Sequence, residues 1–66
     1  MNKFKKLYVE VNGVKVIDVE NAEDISLDQY TGYIDFEYKE IIEKASITKD
    51  VSIDLEEATS ITIILK

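Results

Sequence analysis

The chain has no cysteine, no histidine, no proline and no arginine, and only two glycines, in 66 residues. Each absence removes a class of chemistry. Without cysteine there are no disulfides, which fits a reducing cytoplasm. Without cysteine or histidine a structural zinc site is not expected, because zinc prefers thiolate and imidazole ligands. The usual general base and the thiolate nucleophile are missing too. Ser26, Ser46, Ser52 and Ser60 have no imidazole to activate them. Gly13 and Gly32 are too far apart for a phosphate-cradling loop. No run approaches the roughly 20 apolar residues of a membrane span, and no apolar signal-peptide core follows the opening MNKFKK. The expectation is a single domain over 1–66, not an enzyme, with no cofactor, metal or membrane contact, in the cytoplasm.

The missing arginine bears on partners. Net charge is −6 and every basic residue is a lysine. Lys3, Lys5 and Lys6 stand at the front, whereas the acids crowd the middle and later chain, from Asp18 to Glu57. Polyanion binding needs a basic surface, and arginine forks are the usual readers of phosphates and guanine edges. Direct nucleic-acid binding is therefore not expected. An acidic surface suits a basic protein partner, imitates nucleic acid, or simply keeps a small protein soluble.

Two carboxylate arrangements bear on chemistry. Glu56-Glu57 falls in an expected loop, where acids are solvated. Asp24, Ser26 and Asp28 have the early spacing of a calcium loop, but Gln29 stands where that loop wants glycine. Neither predicts a site.

Local patterning predicts an α+β fold. In LYVEVNGVKVIDV, apolar and polar residues alternate on either side of Asn12-Gly13, a pair suited to a type I′ turn, which reads as a β-hairpin. Val11 then faces Val14, and Val9 faces Val16. The pattern slips beyond Val16: either a bulge re-aims the strand, or Ile17 and Val19 lie on a second, covered face. The acidic stretch ENAEDISLD is a connection whose Ile25 and Leu27 fit strand or loop. QYTGYIDF reads as a third strand, with Gly32 at a bulge or close approach. From Phe36 to Ala45, the spacing of Tyr38, Ile41, Ile42 and Ala45 predicts a short helix. Asp35 would be its N-cap, Glu37 would meet its dipole, and Glu40 and Lys44 would pair on its wet side. Val51, Ile53 and Leu55, the loop EEAT and the strand SITIILK then make a second hairpin. The expected architecture is an antiparallel sheet of four or five strands with one helix on one face.

One helix covers one face of such a sheet. The other face would carry Ile17, Val19 and Ile64, while Ile61, Ile63 and Leu65 point the opposite way from Ile64. Each large aliphatic side chain withdrawn from water is worth roughly 1.5–3 kcal/mol, and a domain this small is marginal without disulfide, metal or partner. Self-association, as a dimer or higher, is the expected remedy. Ile17, Val19, Ile61, Ile63, Ile64 and Leu65 are the candidate interface.

The order of elements adds a resemblance. The front hairpin, then YIDFEYKEIIEKA, then KDVSIDLEEA resembles the YonK-like proteins of Bacillus phages and prophages, best over Tyr33 to Glu57. The final SITIILK departs from that pattern. The resemblance implies a phage-type, oligomeric α+β protein and carries over no functional residue. The expected function is binding of a host protein in the bacterial cytoplasm, to inhibit host defence or divert host machinery. Glu20, Glu23, Asp24, Asp28, Tyr30 and Tyr33 would form the contact surface. The alternatives are an acidic nucleic-acid mimic, whose binding falls steeply with salt, and a small-ligand sponge with pockets at subunit junctions.

Overall fold

The computed structural model describes residues 5–66, and Lys3 lies outside the described residues. Strands β1 (Lys5–Val11), β2 (Val14–Tyr30), β3 (Tyr33–Ile42), β4 (Ala45–Asp54) and β5 (Ile61–Leu65) form one antiparallel sheet. Their order is β4-β3-β2-β1-β5. The fold is all-β, not α+β: there is no helix among the described residues, hence none able to cross a membrane.

Residues 36–45 correct the helix expectation. They are the greater part of β3, a tight turn at Glu43-Lys44, and the first residue of β4. From Ile34 to Lys39 apolar and polar side chains alternate, so Ile34, Phe36 and Tyr38 share one face. β3 pairs with β2 on one side and β4 on the other, which satisfies its backbone groups and buries Phe36 and Tyr38. A short helix has no comparable support in water. Asp35 and Glu37 are therefore strand residues, not a cap and a dipole partner.

The front hairpin forms as patterned, with φ of +53° at Asn12 and +79° at Gly13. Val11 faces Val14, but Val9 faces Ile17, because Val16 is an extra residue in β2. That bulge turns Ile17 and Val19 inward beside Leu7 and Val9. Ile17 and Val19, expected on a second face, are thus core residues with 3% and 5% exposure. Ile25 and Leu27 belong to β2, and Thr31-Gly32 makes the β2–β3 turn, so Gly32 is a turn residue rather than a bulge.

β2 has 17 residues. Straight, it would run roughly 55 Å, yet the longest dimension of the molecule is 37 Å. It bends at its bulges, one of which includes Asp24 at φ +53°. Its first half pairs with β1 and its second half with β3, and Ala22 faces both Lys5 and Glu40 at the crossing. The two half-sheets enclose a common core of Leu7, Val9, Ile17, Val19, Ala22, Phe36, Tyr38 and Ile53.

The C-terminal strand also differs from expectation. β5 pairs with β1, not with β4. Residues 55–60 carry the chain from one edge of the sheet to the other. The Leu55 N–H donates to the Gly32 carbonyl at 2.9 Å. The Asn12 Oδ1 accepts from the Thr59 N–H, the Thr59 hydroxyl and the Ser60 N–H, at 2.7, 2.9 and 3.1 Å. The Asn12 Nδ2 donates to the Glu57 carbonyl at 3.1 Å. The turn residue of the first hairpin thereby fixes the approach to β5.

Candidate functional site

The outer face of the β2–β3–β4 half concentrates the negative charge. Strand register fixes it in rows. Tyr30, Tyr33 and Asp54 lie across the three strands, then Asp28, Asp35 and Ser52, then Ser26, Glu37 and Asp50. Asp28 faces Asp35 directly, and Glu37 faces Asp50. Like charges placed opposite one another in a sheet destabilise it.

The local chemistry relieves part of that repulsion. The Ser52 hydroxyl donates to Asp35 Oδ1 at 2.9 Å. A side-chain hydrogen bond with Asp35 raises the Asp50 carboxyl above its ordinary value, helped by burial and by the charges of Asp35 and Glu37. The Tyr30 phenol is also raised, first by the charge of Asp28. Tyr30 and Tyr33 stack at the end of the rows, with ring centroids 4.8 Å apart and planes at 20°. Both rings remain exposed, so the stack is an aromatic platform at the rim of an acidic field.

The next row brings in Lys39, which faces Glu23 across the strands and lies 3.3 Å from Asp24. Glu20 lies 3.6 Å from Lys6. The expected contact residues therefore divide. Glu20, Glu23 and Asp24 have lysine neighbours, whereas Asp28, Tyr30 and Tyr33 belong to the acidic face. Sequence reasoning missed Asp35, Glu37 and Asp50, which complete that face. The alternation across Ile34–Lys39 was the signal for Asp35 and Glu37, which the helical reading obscured, and Asp50 continues the alternation of Val51 and Ile53.

The expected interface residues divide as well. Ile17 and Val19 are in the core. Ile61 is half-buried at the β5 edge, beside the exposed Ile63 and Leu65. Ile64 points to the opposite face next to Tyr8, as the register requires. Tyr8, Ile64, Lys6 and Lys66 line a shallow depression of about 240 Å³ there. The Tyr8 hydroxyl donates to the Glu10 carboxylate, and this bond is the first cause of its raised pKa.

Asp24, Ser26 and Asp28 lie in an extended strand, not in a loop wrapped around an ion. Among the described residues no three carboxylates converge on a position for a metal. The rows form an open array across three strands that suits many weak contacts with a cationic surface. No family model, curated protein or solved structure matches the chain.

Proposed function

We propose that the chain is a small, acidic, non-enzymatic binding protein that self-associates and presents its β2–β3–β4 face to a basic host protein. The observation that carries this reading is the pair of direct carboxylate oppositions, Asp28 with Asp35 and Glu37 with Asp50. They cost stability in the free protein, and a cationic partner removes that cost. The stacked Tyr30 and Tyr33 supply large, rigid contact area at the rim. With the resemblance to YonK-like proteins, the setting is the cytoplasm of a phage's bacterial host, and the effect is to block a defence or divert machinery. Imitation of nucleic acid draws on the same carboxylate rows, and differs in that DNA or RNA would compete for the partner.

Binding to poly-L-lysine, measured by calorimetry at low and physiological salt, tests where the contact lies. The double variant Asp28→Asn/Asp35→Asn and the control Glu20→Gln/Asp24→Asn change net charge equally. The first should weaken binding about three- to tenfold more than the second, as expected for unscreened charges a few ångströms from a cation. Equal losses would mean that total charge alone matters, and would overturn the assignment of the face.

A further inference from the structure

We infer that the partner in self-association is a second copy bound edge to edge through β5, antiparallel and centred on Ile63. The inference rests on the self-association proposed above and assigns its surface.

The hydrogen-bond phase of β5 is fixed at its end. Lys6 and Lys66 exchange both backbone bonds, at 2.9 and 3.1 Å. Antiparallel ladders alternate bonded and non-bonded pairs, so Tyr8–Ile64 and Glu10–Thr62 are bonded pairs. The Asn12 N–H donating to the Ser60 carbonyl at 2.9 Å keeps the same phase. Ile61, Ile63 and Leu65 therefore turn their N–H and C=O groups away from β1, toward an edge that has no partner strand among the described residues.

These three residues are symmetric about Ile63. When a second β5 lies antiparallel on the edge, Ile63 exchanges bonds with its own mate, and Ile61 exchanges with Leu65 of the second copy. Every outward backbone group of the strand then has a partner. Their side chains share the core-facing side of the sheet, where Ile63 and Leu65 are still 44% and 51% exposed. The two rows meet as Ile63 on Ile63 and Ile61 on Leu65, and the core continues across the two-fold axis.

Charge agrees with this direction. Residues 61–65 carry none, Lys66 follows them, and Glu56-Glu57 precede them in the loop. Antiparallel pairing sets Lys66 of one copy opposite Ser60 of the other, close to that acidic loop. A parallel arrangement would bring like ends together. The opposite edge is unsuited to the same role. Its outward groups belong to Ser46, Thr48, Asp50, Ser52 and Asp54, and charges on an edge discourage pairing.

The test is light scattering of the full chain over a dilution series, for wild type, Ile63→Pro and Thr48→Pro. Both substitutions remove an N–H that faces away from the ladder, so each monomer keeps its own hydrogen bonds, which far-UV circular dichroism verifies. Wild type and Thr48→Pro should have twice the mass of the 7.6 kDa chain, and Ile63→Pro should have the mass of one chain. Register is tested separately, because the protein has no native cysteine. On oxidation Ile63→Cys should give a disulfide-linked dimer, since bonded antiparallel pairs hold Cα atoms about 5.5 Å apart. Ile61→Cys should not, its mate lying some 13 Å away along the strand. If Ile63→Pro keeps twice the chain mass, or if neither cysteine variant crosslinks in a dimeric protein, this edge is wrong while self-association stands. A wild type with the mass of one chain would overturn both.

Discussion

The β5 edge carries Ile61, Thr62, Ile63, Ile64 and Leu65 without a charge, whereas the β4 edge carries Lys49, Asp50 and Asp54 along with Ser46, Thr48 and Ser52. The faces extend this contrast. Beside β5, the outer surface mixes Lys6, Tyr8, Glu10 and Ile64, while beside β4 it holds the carboxylate rows. An uncharged edge with outward backbone groups thus lies on one half, and the concentration of charge on the other half's face. The lesson is that one small sheet can offer two kinds of contact without a cavity: a directional one for its own copy and an electrostatic one for a cationic partner.

Three substitutions probe how far the halves are independent. The largest effect is expected from Phe36→Ala, which empties the centre of the β3 half at a cost of about 3–5 kcal/mol. Phe36 shares one core with Leu7 and Val9 of the β1 half. Urea unfolding followed by circular dichroism and by tyrosine fluorescence should therefore give coincident transitions at lower denaturant. Two separate transitions would show that the halves fold apart, and the comparison would become one between domains.

A smaller effect, of opposite sign, is expected at the β3–β4 turn. The first hairpin meets its left-handed angles with Asn12 and Gly13, but the β3–β4 hairpin places Glu43 at φ +58°. A side chain with a Cβ pays a steric penalty there that glycine avoids. Glu43→Gly should raise stability by about 0.5–1 kcal/mol, read from the urea midpoint at unchanged slope. A loss of stability would place the constraint elsewhere in the turn.

The smallest effect concerns the acidic face. Asp50 has its folded pKa raised above the ordinary 3.8, so its protonated form is favoured by folding and its charged form opposes it. That opposition is absent below the ordinary value and is fully present once pH exceeds the raised one. Asp50→Asn should therefore give a slightly higher Tm than wild type at pH 7, with the gap closing as pH falls toward 3.8. A gap independent of pH would detach the effect from the carboxylate rows.

How legible this was depended on the range of the interaction. Asn12-Gly13 announced its turn because both residues tolerate positive φ, a property of the dipeptide itself. Glu43-Lys44 makes a comparable reversal without any turn-favouring residue, so nothing local marked the end of β3, and Tyr38, Ile41, Ile42 and Ala45 kept a plausible helical stripe. With residues 36–45 read as helix, Asp35 and Glu37 became helix-end residues and could not be seen beside Asp28 and Asp50. Ile17 and Val19 were placed on the wrong face by one extra residue, Val16. A bulge leaves no mark on sequence beyond the break in alternation it explains.

By itself the sequence determined what depends on neighbouring residues: the first hairpin, the opposition of Ile64 to Ile61, Ile63 and Leu65, the acidic balance, and the absence of thiol and imidazole chemistry. Only the tertiary structure decided which strands meet. β5 lies on β1, where Asn12 secures Glu57, Thr59 and Ser60 at the far edge. The acid rows form because β3 is a strand between two others. Alternation along a strand is set by the geometry of each residue. The choice of partner strand is set by where distant segments can meet and bury a common core.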